Sequence, residues 1–148
     1  MKFSNHLISA LSICTVSFLS PALAGGCSGC GSPCGRLQNK TDKEMKYTTN
    51  PNPDLNAHKG RCHFWNWYTW NPLDTEDRIV SCTQQSLQAG KSKGGCKERV
   101  DVDGFTFANN AYFFESKERG AGVWSKISDI DTVTCEKRGS KYHCLYKS

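Results

Sequence analysis

The clearest pattern of apolar and polar positions lies in the segment 133–146, where two alternating stretches flank Gly139-Ser140. Strict alternation is typical of half-buried strands, and a glycine in the first position of a two-residue loop favours a type II′ turn. The register that this turn imposes sets Cys135 opposite Cys144 at a non-hydrogen-bonded pair, where Cα atoms lie about 4.5 Å apart. The segment therefore predicts a hairpin with a Cys135–Cys144 disulfide.

Residues 100–107 alternate in the same way around Asp103-Gly104, a dipeptide typical of hairpin loops. With this loop, Val102 faces Phe105 and the apolar side chains share one face. We therefore expect a second hairpin here. Asn109-Asn110 predicts a further turn, which continues the hairpin into a meander with an aromatic inner face.

Three more elements follow from composition and punctuation. Cys62–Trp70 is dense in aromatic and β-favouring residues, so we interpret it as a strand. Thr75–Ala89 is the best candidate for a helix, because Asp74 can cap its first turn and Gly90 gives a reasonable stop. A short strand is expected at 123–127.

The first sixty residues differ in composition from the rest. Lys2, the apolar stretch 7–19 and the small-residue end at Ala24 form the three parts of an export signal, so residues 1–24 are predicted to be a cleaved signal peptide. Residues 25–60 are poor in apolar side chains, which predicts a polar arm that is held down by its cysteines. The arm contains an N-glycosylation sequon at Asn39, for which we expect an exposed position.

The resulting fold class is α+β: a mainly antiparallel sheet with one short helix and a disulfide-stapled N-terminal arm. Residues 61–148 are expected to form the core, and the arm belongs to the same domain. No later segment is long and apolar enough to predict a membrane anchor.

Nine cysteines occur in the chain, one of them in the export signal. The remaining even number predicts four disulfides in an oxidising environment. These cysteines are Cys27, Cys30, Cys34, Cys62, Cys82, Cys96, Cys135 and Cys144. The close spacing of the first three also fits a redox or metal centre, but no helix start and no second Cys-x-x-Cys accompanies them. We interpret them as staples and expect neither a metal nor a cofactor.

The charge balance is mildly basic, with 19 Lys and Arg against 14 Asp and Glu. Basic and acidic residues are interleaved, which is typical of a solvated surface and argues against a dedicated nucleic-acid face. Paired carboxylates such as Asp101 and Asp103 stand at turn-like places, where acids serve solubility.

A ribonuclease needs a general base, a general acid and a cation for the phosphate. His63 and His143 are the candidate pair. Glu136 lies opposite His143 in the predicted hairpin and would orient it, while Lys141 or Arg138 would meet the phosphate. The competing interpretation is structural: His63 flanks a buried strand and His143 faces solvent.

The tryptophans offer a third kind of site, because flat aromatic rings stack on sugars. Trp65, Trp67 and Trp70 are the candidate ligand-stacking residues. In a domain of this size, however, tryptophans on a central strand usually form the core.

The short export signal, the size of the mature domain, the eight cysteines and the lack of an enzyme motif together resemble small secreted cysteine-rich effectors of plant-pathogenic fungi. Effectors of this type are α+β or β-sandwich domains, and the resemblance implies a secreted virulence protein that binds a host or competitor target. We therefore expect a non-enzymatic protein whose partner is a host or extracellular protein, with a glycan as a further possibility. A cytotoxic ribonuclease and a glycan-binding module remain the alternatives.

Overall fold

The computed structural model describes residues 27–28, 30–31, 33–68 and 76–147. The predicted signal peptide at 1–24 and Trp70 lie outside these residues. Within them, twelve strands form two six-stranded sheets. In chain order the strands are β1 (Arg36–Lys40), β2 (Met45–Thr48), β3 (Gly60–Phe64), β4 (Arg78–Cys82), β5 (Gln85–Leu87), β6 (Ser92–Gly94), β7 (Gly104–Thr106), β8 (Tyr112–Phe114), β9 (Lys117–Arg119), β10 (Val123–Lys126), β11 (Thr132–Arg138) and β12 (Lys141–Tyr146).

Both sheets are mixed. The first has the order β6-β1-β11-β12-β8-β9, with parallel pairs β1–β11 and β12–β8. The second has the order β4-β3-β10-β7-β2-β5, with a parallel pair β10–β3. Strands that are neighbours in a sheet are therefore often distant in the sequence.

The main core lies where aromatic side chains of the two sheets meet. Phe105 of β7 packs edge-on against Phe114 of β8 at 5.4 Å, and Phe107 stacks on Tyr142 of β12 at 5.0 Å between ring centroids. A smaller cluster surrounds the Cys62–Cys82 disulfide and contains Phe64, Val80 and Trp124.

Four disulfides join all eight described cysteines. The bonds are Cys27–Cys34, Cys30–Cys96, Cys62–Cys82 and Cys135–Cys144. The last of these confirms the predicted pair, and the hairpin has the predicted register. Gly139 has a φ of 61°, the left-handed value that the first position of a type II′ turn requires.

The predicted α+β class is wrong, because the described residues form an all-β structure without a helix. Within the segment proposed as a helix, Thr75–Ala89, the described residues 76–89 instead contribute β4 and β5. Ile79 is 57% exposed whereas Val80 is fully buried, which is the alternation of a strand. β4 is stabilised as a strand by its pairing with β3 and by the Cys62–Cys82 bond, and neither contact is visible in the local sequence pattern.

The predicted hairpin at 100–107 is also wrong. Asp103-Gly104 does not form its loop, because β7 begins at Gly104 and pairs with β10 and β2. The expected meander is absent as well, since β8 pairs with β12 and β9 in the other sheet. Phe107 and Tyr112 still meet in the core, at 5.5 Å, but across the sheets.

Two other strand predictions are confirmed, one of them only over part of its length. The strand expected at 123–127 is confirmed as β10. The strand expected at Cys62–Trp70 exists as β3 but ends at Phe64. The predicted polar arm at 25–60 contributes to the core, because β1 and β2 are interior strands of the sheets and Leu37 and Met45 are fully buried.

The described residues contain no helix that is long and apolar enough to cross a membrane.

Candidate functional site

The first sheet has one buried face and one solvent-facing face. On β1 the side chains of Leu37 and Asn39 are buried, whereas the alternate residues Arg36, Gln38 and Lys40 are half-buried or exposed. We call the outward-pointing side chains of β1, β11, β12, β8 and β9, together with Lys147, the basic face. Its members are Arg36, Gln38, Lys40, Thr132, Thr134, Glu136, Arg138, Lys141, His143, Leu145, Phe113, Glu118 and Lys147.

Cations outnumber carboxylates on this face by five to two. The cations are Arg36, Lys40, Arg138, Lys141 and Lys147, and the carboxylates are Glu136 and Glu118. Lys40 and Arg138 share Glu136, each at 3.8 Å from one of its oxygens. Such exposed pairs contribute little to stability, so the surplus positive charge remains available to a ligand.

An aromatic pair lies at the centre of the basic face. The register sets His143 between Glu136 on β11 and Phe113 on β8. The His143 and Phe113 rings stack at 4.8 Å with an interplanar angle of 10°, and Lys141 Nζ lies 4.9 Å from the Phe113 ring centroid. One ring face of each residue is thus used within the protein.

A groove of about 170 Å³ lies between β1, β11 and the end of β12. Three cations line it, namely Lys40, Arg138 and Lys147, together with Glu136 and Leu145. The arrangement can hold an anionic group through charge and can hydrogen-bond its neighbouring hydroxyls through Glu136.

The structure divides the predicted catalytic residues between the two sheets. Glu136 and His143 are directly opposed on the basic face. His63 lies on β3 of the other sheet, is exposed, and has its Nε2 at 2.7 Å from Asp77 Oδ1. The set of three is therefore not one constellation, and only Glu136 and His143 are neighbours.

The described tryptophans offer little free ring surface. Trp67 is only 9% exposed and packs edge-on against Phe64. The Arg119 guanidinium lies 3.4 Å above the Trp65 ring, and Trp65 Nε1 donates a hydrogen bond to Ser125 Oγ. The stacking surface expected at these two residues is thus largely covered by the protein itself.

Three carboxylates converge away from the basic-face side chains. One oxygen each from Asp101, Asp103 and Asp129 lie within 4.8 Å of one another. Burial raises the pKa of Asp103 to about 6, although Lys126 at 3.8 Å acts in the opposite direction. Burial likewise raises the pKa of Asp101, whose Oδ1 accepts a hydrogen bond from the Gly35 amide.

This acidic cluster was missed in the sequence, where Asp101 and Asp103 have the appearance of turn residues. Three oxygens are fewer than the six to eight that Ca²⁺ takes, and the Lys126 ammonium already lies beside them. The cluster is therefore interpreted as a structural set of acids.

The expected exposure of Asn39 is wrong. Its side chain is 1% exposed, and Nδ2 donates hydrogen bonds to the carbonyls of Lys43 and Leu87. A glycan on this nitrogen would displace both bonds and has no room in the fold. The sequon pattern instead serves a turn, because Asn39 Oδ1 accepts from the Thr41 hydroxyl.

The basic face itself was also missed as a unit, although its signal is present as alternate polar residues on β1, β11 and β12. Its assembly needs the parallel pairing of β1 with β11, which joins Lys40 to Glu136. Comparison with known protein families, with curated proteins and with solved structures finds no match to this chain, so the site is argued from its own residues.

Proposed function

We propose that the chain is a secreted, effector- or toxin-like binding protein that holds a host or competitor target on its basic face. The observation that carries this proposal is the surplus of five cations over two carboxylates around the His143–Phe113 stack. The four disulfides support the extracellular setting, since such bonds persist in oxidising compartments.

The difference between the two faces of the first sheet supports the same function. Its inner side chains, such as Leu37 and Val133, are fully buried and build the core. The outer side chains are not needed for that purpose. A charged, half-exposed aromatic patch on a rigid sheet is suited to recognition, because its groups are positioned before the ligand arrives.

The test uses oxidised residues 25–148 carrying a fluorescent label on plant leaf tissue, the host that the resemblance implies. The double variant Arg138→Glu with Lys141→Glu reverses two positive charges of the basic face, on residues that pair across β11 and β12. The matched control, Lys59→Glu with Lys91→Glu, makes the same change in net charge at exposed positions elsewhere. Loss of tissue binding in the first variant alone supports the proposal, whereas equal behaviour of the two variants contradicts it.

A ribonuclease is the second candidate, and the direct opposition of Glu136 and His143 favours it. Glu136 would take the proton of the attacking 2′-hydroxyl, and His143 would give a proton to the leaving 5′-oxygen. The bond from phosphorus to the 5′-oxygen breaks as the bond to the 2′-oxygen forms, with Arg138 or Lys141 stabilising the phosphate.

Hydrolysis of a fluorogenic RNA tests this candidate. We expect Glu136→Gln and His143→Ala to lose activity and His63→Ala to keep it, because His63 belongs to the other sheet. Activity that depends on His63, or no cleavage by the unaltered protein, rejects the assignment.

A further inference from the structure

The cations of the basic face are spread over it. Arg36 and Lys40 lie on β1, Arg138 on β11, and Lys141 on β12. Adjacent strands are about 4.8 Å apart, and alternate residues on one strand about 6.8 Å apart. A single phosphate or carboxylate would meet only part of this array. A polymer with regularly repeated anionic groups can meet several cations at once.

The groups between the cations are those that bind hydroxyls. The Thr134 hydroxyl donates to Gln38 Oε1 at 3.0 Å, and Thr132 and Glu136 lie on the same strand and face. Hydroxyl and amide groups both donate and accept hydrogen bonds, and carboxylates accept them. The face therefore alternates charge with hydroxyl-binding groups.

The aromatic pair is poorly arranged for nucleobases. Proteins that bind single-stranded nucleic acid stack bases on open aromatic faces. Here the Phe113 and His143 rings stack on each other, and Lys141 lies over Phe113. Because one ring face of each residue is already used and Lys141 lies over Phe113, stacking contributes less to this surface than its five cations do, so charge and hydrogen bonding dominate recognition.

We infer that the basic face binds an acidic polysaccharide, a sugar chain that repeats carboxylate and hydroxyl groups. The inference rests on the proposed function, since it names the ligand class of the same face. It also moves the glycan site away from Trp65 and Trp67, whose rings are largely covered. The Lys40, Arg138 and Lys147 side chains of the groove would hold carboxylates, and the Thr134 and Glu136 side chains would bind hydroxyls.

The test measures binding of polygalacturonate to the oxidised chain 25–148 by isothermal titration calorimetry in low salt. Fully methyl-esterified polygalacturonate is the matched ligand control, because it keeps the sugar hydroxyls and loses the charge. Poly-glutamate and a 2′-O-methyl RNA oligonucleotide of similar charge represent the acidic-protein and nucleic-acid alternatives, and neither can be cleaved by a ribonuclease mechanism.

We expect polygalacturonate to bind more tightly than the other three polymers, and its affinity to fall with added salt because exposed charges are screened. For Arg138→Glu with Lys141→Glu, we expect the Kd to rise about tenfold, since two exposed attractions become repulsions. The Arg138→Lys, Lys141→Arg double variant should keep most of the affinity, and Lys59→Glu with Lys91→Glu should keep more than the face variant.

Several outcomes overturn the inference: equal binding of all polyanions, tighter binding of RNA or poly-glutamate, or full affinity in the Arg138→Glu, Lys141→Glu variant. The outcome for the proposed function is separate. If that variant loses tissue binding while the unaltered protein does not bind polygalacturonate, the inferred ligand class is wrong. The proposal that the basic face is the binding site is then still supported. If polygalacturonate binds at the face but tissue binding is unchanged in the Arg138→Glu, Lys141→Glu variant, the proposed function fails.

Discussion

Charged side chains occur in two contrasting regions of this molecule. On the basic face they are well exposed: the side chain of Lys40 is 61% exposed and that of Arg138 is 55% exposed. In the acidic cluster, Asp101 is 8% exposed as a residue and the Asp103 side chain 15%. Both regions consist of charged groups, and the main difference between them is how much water reaches those groups.

This difference separates binding from stability. Water and salt screen exposed charges, so those of the basic face contribute little to folding but remain free to meet a ligand. Desolvation penalises the charged forms of Asp101 and Asp103 and raises both pKa values. The acidic cluster is consequently the region where charge should affect folding, and the basic face the region where it should affect recognition.

The largest effect on stability is expected for Asp101→Ala. This change removes the acceptor of the Gly35 amide, at 2.6 Å in a buried setting, and should lower the free energy of unfolding by about 1–3 kcal/mol. Chemical denaturation of the oxidised protein at pH 7 measures it. Asp101→Asn keeps an oxygen acceptor without the charge and should lose much less. An equal loss in both variants would show that the hydrogen bond is not the reason.

An intermediate, pH-dependent effect is expected for Asp103→Asn. The folded-state pKa of Asp103 is about 6, above the unfolded value of about 3.9. Its contribution to stability is thus full below about pH 4 and is lost as the pH rises through about 6.

The Asn variant carries no such titration, so its stability relative to the unaltered protein should increase from pH 4 to pH 7. The expected gain is about 2 kcal/mol, because the folded and unfolded pKa values differ by about two units and part of the unfolded-state ionisation is already complete at pH 4. Denaturation curves at both pH values measure the gain, with Glu118→Gln at an exposed position as the control. A gain that is independent of pH would contradict the buried titration.

The smallest effect on stability is expected for the basic-face variant Arg138→Glu with Lys141→Glu. Both residues are exposed, so the free energy of unfolding should change by no more than about 0.5 kcal/mol per substitution. Denaturation at pH 7 in low salt measures it beside the binding experiments. A large loss of stability would erase the contrast between the two regions and would make the loss of binding uninformative.

Local chemistry explains what could be predicted from the residues. Gly139-Ser140 sets the turn, the turn sets the register, and the register places Cys135 beside Cys144. The opposition of Glu136 and His143 on the basic face follows from the same step, because both residues lie in that hairpin. The strand at 123–126 was found from a short local pattern as well.

Pairing between distant segments explains what could not be predicted. The end signals at Asp74 and Gly90 suited a helix, and only pairing with the neighbouring β3 decides for the strand. Asp103-Gly104 has the composition of a hairpin loop, yet β7 finds its partners in β2 and β10. Local propensity is a weak guide to strands because packing against neighbours supplies most of their stability.

The sequence by itself therefore determined the cysteine framework in number, one disulfide, one hairpin with its register, and the expectation of an extracellular setting. Only the tertiary structure decided the all-β architecture, the burial of Asn39 and Asp101, and the pairing of Lys40 with the hairpin that completes the basic face. The physical reason is separation along the chain. A two-residue turn constrains its own strands, whereas the parallel pairing of β1 with β11 depends on a core to which the whole chain contributes.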